Sequence, residues 1–244
     1  MSNDKRTGGL WNLYKMGGLT PAITSMYNPR NAQQMAFIRS MMKEQRKHSL
    51  YDLPLKELEI VVFDLETTGF YPNSGDEILS FGGVVVLGSQ IQENKTFYSL
   101  VNPKRRVPEH IELLTGITNE MAESAPELME VLHNFMEFID KRLLVAHASG
   151  HDKQFLNAAL WKTSKVNLTH RLLDTMMIAK WLDPKRPSYG LDELLESYRI
   201  PVTVRHQALE DALMTARLWV KFMGEIESRQ VATLGDLYAY LSRH

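Results

Sequence analysis

The stretch "VVFDLETTGF", Val61 to Phe70, opens on apolar residues that read as a buried strand, and two carboxylates then interrupt it, Asp64 and Glu66, with one leucine between them. Side chains alternate faces along a strand, so Asp64 and Glu66 share a face near the strand's end. Burying even one unpaired carboxylate is costly. Two like charges on one face need a neutraliser, and a divalent cation held by oxygens alone, Mg²⁺ or Mn²⁺, supplies one. An ordinary exposed acidic turn is the other reading of Asp-x-Glu, and spacing alone leaves both open.

Outward from this strand the chain alternates elements. "EILSFGGVVVLG" and "QENKTFYSLV" read as two more strands, joined as a hairpin around Gly88-Ser89. "RLLVAH" and "HRLLDT" read as short strands set among helices. Those helices are "SAPELMEVLHNFMEFID", with Ser124 as N-cap and Pro126 in its first turn, "HDKQFLNAALWKT" and "TMMIAKWL". "YGLDELLESY", "ALEDALMTARLWVKFMGEIES" and "TLGDLYAYLSR" read as helices that complete the chain. Three hairpin-like strands followed by two that alternate with helices predict an α/β fold, a mixed five-stranded sheet flanked by helices. Residues 1–55 read as a partly helical, basic N-terminal extension, and the domain itself is expected over 56–244. Within the extension, Met35, Ile38 and Met42 fall near helical spacing in a helix from Ala32 to about His48.

The 244 residues are 44% hydrophobic and 23% charged, an ordinary globular composition. The absence of cysteine excludes disulfides, thiolate metal sites and cysteine nucleophiles, and fits a reducing cytoplasm. No apolar run reaches the roughly 18 residues of a membrane span, and the first residues lack the apolar core of a signal peptide. The formal charge is −1, unevenly spread: residues 1–56 hold nine Lys and Arg against three Asp and Glu, and the remainder 19 against 26. A basic arm on an acidic body suggests an anionic partner, or an arm that packs on its own body. Neither G-x-S-x-G, nor a P-loop, nor G-x-G-x-x-G occurs.

Two more carboxylates fall at the ends of elements. Asp152 follows the strand "LLVAH", and Asp211 opens the long helix in "HQALEDA". Four carboxylates at one sheet edge can hold two metal ions about 4 Å apart, the arrangement that clamps both oxygens of a phosphoryl displacement. His206, five residues before Asp211, would be turned about 140° from it on one straight helix. It is therefore expected on the preceding loop, where a neutral imidazole can accept a proton near physiological pH. Other acids read as decoys: Glu210 turns about 100° from Asp211, Asp174 caps the helix after it, and Asp76 and Glu77 are expected in solvent.

"FDLETTG", "LVAHASGHD" and "HQALEDA", in that order, resemble the three motifs of the DEDDh 3′–5′ exonucleases, the DnaQ-like family of the proofreading epsilon subunit of DNA polymerase III. "LLTGITNEM" and "YGLDELL" resemble family segments between them, so the resemblance covers about residues 58–225. It implies a ribonuclease H-like fold with two Mg²⁺ or Mn²⁺ ions held by Asp64, Glu66, Asp152 and Asp211, and His206 as the base that deprotonates the attacking water. It further implies Leu65, Thr67, Leu114 and Thr115 as contacts to the terminal nucleotide, and His147 as a site candidate by its motif position.

The implied partner is a single-stranded nucleic acid 3′ end. Proofreading or repair of DNA leads, with exoribonuclease action or a catalytically impaired binding module as alternatives, and replication or repair proteins as further partners. The second motif departs from the family's His-Asn-Ala-x-Phe-Asp: Ala148 replaces asparagine and His151 replaces phenylalanine. Ala148 cannot supply an amide hydrogen bond, and His151 is expected to pack as a ring, contact a phosphate or disturb the metal. In the extension, Trp11, Tyr14 and Tyr27 could stack on bases. "QQMAF", Gln33–Phe37, faintly resembles sliding-clamp-binding peptides, with the apolar face of a helix as the plainer reading.

Overall fold

The structure is a computed structural model that describes residues 29–46 and 49–243. The glycine-rich arm with Trp11, Tyr14 and Tyr27, together with Lys47 and His48, lies outside the described residues. Strands β1 (Glu59–Thr67), β2 (Ile78–Leu87), β3 (Gln90–Leu100), β4 (Leu143–Ala146) and β5 (Leu172–Asp174) form one sheet in the order β3-β2-β1-β4-β5. β1 pairs antiparallel with β2 and parallel with β4, which gives the mixed five-stranded sheet expected. The helices among the described residues are α1 (Pro29–Gln45), α2 (Glu109–Thr115), α3 (Asn119–Ser124), α4 (Leu128–Ile139), α5 (Gly150–Ser164), α6 (Thr175–Leu182), α7 (Leu191–Ser197), α8 (Ala208–Ser228) and α9 (Leu234–Leu241).

Alternation along β1 divides the core in two. Val61, Phe63 and Leu65 join α1, α4 and α5 in one apolar cluster. Ile60 and Val62 join α6, α7, α8 and α9 in the other. A strand covered on both faces reads as a continuous apolar run, which is why "IVVF" carries no polar residue. By the same alternation Asp64 and Glu66 continue the face of Ile60 and Val62, the face that α8 covers.

The α8 helix reaches that face because β2 carries a glycine there. Gly82 pairs with Asp64 across the ladder. A Cβ at Gly82 would stand 2.1 Å from the Ala208 carbonyl carbon and 2.2 Å from the Leu209 nitrogen. Backbone therefore meets backbone, and only glycine leaves room for the start of α8. Overpacking of this kind costs about 1–3 kcal/mol. Gly82→Ala is expected to lower Tm by about 2–12 °C at the sensitivity of a domain of this size. An unchanged melting curve would show that α8 does not rest on Gly82.

Several local expectations are corrected. Ser124 does not cap α4; it ends α3, and Glu127 stands at the α4 N-cap. The short helices α2 and α3 were not expected, because seven and six residues are too few to show a period of 3.6. Asp76 is not simply solvated: its carboxylate accepts from Thr68 Oγ1 at 3.1 Å and from the Tyr71 N–H at 3.0 Å, and pairs with Arg105 at 2.9 Å. Glu77 pairs with Lys162 at 2.6 Å.

The α1 helix starts at Pro29, where a missing N–H costs nothing. It buries Ile38 and Met42 in the cluster with α4 and α5. Arg39 Nε donates to the Ser164 carbonyl at 2.8 Å, and Thr169 Oγ1 donates to the Met42 carbonyl at 2.9 Å. "QQMAF" lies within this helix, with Gln34 buried and Phe37 edge-on to His133 at 4.6 Å. Gln33 and Ala36 of the same segment are exposed. Among the described residues no helix is long and apolar enough to cross a membrane.

Candidate active site at the end of the central strand

Asp64, Glu66 and Asp211 each offer a carboxylate oxygen, and these oxygens lie within 4.8 Å of one another. The first two come from β1. The third comes from the first turn of α8, seated over Gly82. Asp152 stands buried in the first turn of α5, which follows β4, the parallel neighbour of β1. It lies outside the group of three but close enough that its charge raises the proton affinity of Asp64 and Glu66.

Removal from solvent is the largest cause of the raised carboxyl pKa values, and for Asp64 and Glu66 repulsion by neighbouring carboxylates follows. Glu66 is pushed up to about 8 by burial and by the charges of Asp211 and Asp152. Asp152 is pushed up to about 7 by burial, against the opposing pull of the backbone amides of Asp152 and Leu65. Asp64 is raised well above the usual carboxylate range by burial and then by Asp152, Glu66 and Asp211. Burial also raises Asp211, more than the Arg205 guanidinium and the His206 backbone N–H lower it. Acids that repel one another in a buried cluster fit a multivalent cation. Ser80 Oγ supports the fit: opposite Glu66 across the ladder and fully buried, it has no hydrogen-bond partner among the described residues.

Arg205 was not foreseen. Its Nη1 donates to Asp211 Oδ1, and its Nε donates to Asp192 Oδ1 at 2.6 Å. Its charge lowers the pKa of Asp64 and Glu66 as well. Its place beside His206 in "RHQALED" was the sequence signal available, but nothing local shows a side chain turning back onto a carboxylate six residues later.

His206 lies on the loop before α8, as expected, with φ +61°. Its backbone N–H donates to Asp211 Oδ2 at 2.9 Å, which fixes the loop against the acidic group. Glu210 turns away and accepts from Thr203 Oγ1 at 2.9 Å. Leu65 is buried in the core, and Thr67 Oγ1 donates to the Gly69 carbonyl at 2.7 Å. Leu114 is half-exposed at the end of α2. Thr115 is buried, and its hydroxyl is engaged by the Ile111 carbonyl at 2.8 Å and the Ile117 N–H at 3.1 Å.

The second motif is held by Asp174. As expected it caps α6, accepting from the Met176 N–H at 2.8 Å. It also accepts from the backbone N–H groups of Ala148 at 3.0 Å and Ser149 at 2.9 Å, so it fixes the loop that leads into α5. His147 Nδ1 is 2.9 Å from Thr175 Oγ1, while its buried Nε2 has no partner among the described residues. Burial lowers the His147 pKa. His151 packs as a ring against Phe155, with centroids 4.7 Å apart, and its Nε2 lies 3.3 Å from Thr67 Oγ1.

Ala148 takes φ +51°, the left-handed region in which Cβ crowds the following carbonyl and which Asn tolerates better. Ala148→Asn is expected to raise Tm by about 2–4 °C, the equivalent of about 1 kcal/mol in a domain of this size. A fall in Tm would show that the amide has no room beside Asp174.

The Exonuclease family (RNase_T) matches residues 61–219. The DNA polymerase III subunit epsilon-like protein of Rhodobacter capsulatus is 30% identical over 87% of this chain and 30% of its own length. The PolC-type DNA polymerase III of Caldanaerobacter subterraneus subsp. tengcongensis is 34% identical over 76% of this chain and 13% of its own. The chain thus spans under a third of these relatives. Among solved structures, the nuclease domain of 3′hExo, a DEDDh family member bound to rAMP, superposes with a TM-score of 0.61 at 22% identity, over 72% of this chain and 94% of that one. Exonuclease X in complex with 5′ overhanging duplex DNA gives 0.54 at 23% identity, over 68% and 91%. These neighbours show the ribonuclease H-like fold. A family match over more than half of the chain, with the matched residues closing on one sheet end, makes this protein a member of the exonuclease family.

Proposed function

We propose that this chain is a divalent-metal-dependent 3′–5′ exonuclease that releases nucleoside 5′-monophosphates from DNA 3′ ends in the cytoplasm, in proofreading or repair. The observation that carries this reading is the gathering of Asp64, Glu66 and Asp211 at one sheet end, with the His206 loop hydrogen-bonded to Asp211. Asp64, Glu66, Asp211 and Asp152 would hold two Mg²⁺ or Mn²⁺ ions. Bound there, such ions neutralise the carboxylates and stabilise the charge that develops in phosphoryl displacement. His206 takes the proton of the attacking water. Thr67, the Leu65 backbone and Leu114 position the terminal nucleotide, and the buried Thr115 supports Leu114 from within α2. His147 anchors the second motif to α6 through Thr175. Replication or repair proteins are the partners in which such trimming of ends is used.

The test is matched 3′- and 5′-labelled single-stranded DNA and RNA oligomers with Mg²⁺, Mn²⁺ or EDTA. Stepwise shortening from the 3′ end, lost in EDTA, is the expected result, with DNA degraded faster than RNA. Faster RNA degradation would make the chain an exoribonuclease. Binding of every oligomer without cleavage would make it a binding module.

The raised carboxyl pKa values give a second expected result. Between about pH 4.5 and pH 8 the metal-free folded protein holds a proton on Glu66 that the unfolded chain has lost. Stability of the metal-free protein therefore falls as pH rises through that window. A bound divalent cation removes the repulsion. Saturating Mg²⁺ or Mn²⁺, at about 100 times its Kd, adds about 2.7 kcal/mol, or about 5–10 °C in Tm. At one fixed metal concentration the gain is expected to be larger at pH 8 than at pH 6, because protons compete with the cation for the carboxylates. An equal gain at both pH values, read by differential scanning calorimetry, would separate metal binding from these carboxylates.

A further inference from the structure

A cavity of about 220 Å³ opens between the turn after β1 and α5, with Pro72, Asn73 and Ile78 on one wall and Phe155, Ala158 and Trp161 on the other. It is smaller than the roughly 300 Å³ at which pockets for drug-sized ligands begin, a size that suits one flat ring system. The apolar residues of these walls share the lining with Asn73, Asp76, Glu77 and Lys162. The cavity reaches the end of β1 at Thr67, with Ile78 and Phe155 on the sheet face opposite the one that carries Asp64 and Glu66. Ile78 pairs with Thr67, the residue after Glu66, across the β1–β2 ladder. Phe155 packs on His151, which reaches Thr67 Oγ1.

With Arg105, the charges that line the cavity, Asp76, Glu77 and Lys162, sum to zero, and Lys153 and Lys165 add positive charge along α5 and just after it. The cavity's acids are paired, Asp76 with Arg105 and Glu77 with Lys162. The only acid in α5 is the buried Asp152, and the exposed positions of that helix carry Lys153, Gln154, Trp161 and Lys162, followed by Lys165. Lys165 Nζ stands 5.7 Å from the centre of the Trp161 ring, and Trp161 is 55% exposed. From Asp152 to Lys165 this basic, aromatic face runs about 20 Å along the helix. In the turn that leads to Pro72, Phe70 and Tyr71 are 71% and 69% exposed. Exposed aromatic rings beside Lys153 and Lys165, which form no ion pair among the described residues, match the chemistry of a single nucleic acid strand: rings for bases and ammonium groups for phosphates.

We propose that this cavity is a further base subsite, which takes a nucleobase of the substrate strand upstream of the terminal nucleotide, stacked on Trp161, with Lys165 facing the strand's phosphates. This rests on the exonuclease reading above and adds the path of the strand. Stacking of one base on an aromatic side chain is worth about 5- to 150-fold in affinity.

The test compares wild type with Trp161→Ala, Trp161→Phe, Ala158→Met and Lys165→Gln. The substrates are thymidine 5′-monophosphate p-nitrophenyl ester, which reports the chemistry alone, and oligothymidylates from dinucleotide to decanucleotide. Trp161→Ala and Ala158→Met are expected to raise KM for the decanucleotide about 5- to 150-fold and to leave the ester, which has no upstream base, unchanged. Trp161→Phe restores most of the loss, and Lys165→Gln lowers the salt slope of binding by about one. Equal chain-length dependence in Trp161→Ala and wild type would overturn the subsite. If wild type hydrolyses neither ester nor oligomer, the exonuclease reading fails instead. Binding of a fluorescein-labelled decanucleotide in EDTA then still reads the subsite: weaker binding by Trp161→Ala supports it, and equal binding ends it.

Discussion

Asp64→Asn is expected to remove about 10³- to 10⁴-fold or more of the hydrolytic rate while leaving the fold intact. The amide keeps the volume and removes only the charge. Asp64 lies where β1, β2 and the start of α8 converge, and its oxygen belongs to the group that includes Glu66 and Asp211. Metal-based stabilisation of transition-state charge is worth several kcal/mol, and each 1.36 kcal/mol is about tenfold in rate. The same substitution acts with opposite sign on the metal-free protein. It removes a carboxyl whose ionisation is opposed by burial and by Asp152, Glu66 and Asp211, so Tm in EDTA at alkaline pH is expected to rise by about 2–4 °C for each kcal/mol of repulsion relieved. The Tm gain on adding Mg²⁺ should shrink in parallel. Lost activity with an unchanged metal response would place Asp64 in a role other than ligation, and a normal rate would refute the site.

His206→Ala is expected to cost about 10²- to 10⁴-fold in rate, the usual share of a positioned general base. The substitution is a clean probe because Asp211 is held by the backbone N–H of residue 206, which alanine retains. The acidic group should therefore keep its arrangement, and Mg²⁺ should raise Tm as it does in wild type. The rising limb of the pH–rate profile should flatten, since the group that must be deprotonated is gone. The two variants then differ in kind: one loses both the metal response and the rate, the other the rate alone. A His206→Ala protein with an unaltered pH profile would assign the proton to another acceptor.

Much of this architecture was legible in the chain. The apolar run before Asp64, the hairpin at Gly88-Ser89 and the later strands gave the mixed sheet, because a period of two and a turn residue are local properties. His206 could be placed on a loop by helical geometry alone. Short elements were harder. The α2 and α3 helices complete less than two turns each, and the cap at Ser124 was misread because a helix ended where one was expected to begin. Asp174 and Asp76 were legible as acids near turns, but not as the groups that hold the second motif and the loop after β1.

The sequence by itself determined which carboxylates share a face of β1, that two more fall at the start of helices, and that no thiol chemistry takes part. Those facts follow from periodicity and residue type, which need no partner. Only the tertiary structure decided that Asp211 joins Asp64 and Glu66 while Asp152 stands just outside the group. It also decided that Arg205 turns back onto Asp211, and that a cavity lies between the turn after β1 and α5. Each of these depends on how closely separate elements approach. That distance is set by packing across the sheet, at Gly82 above all, where the absence of one Cβ admits the α8 backbone.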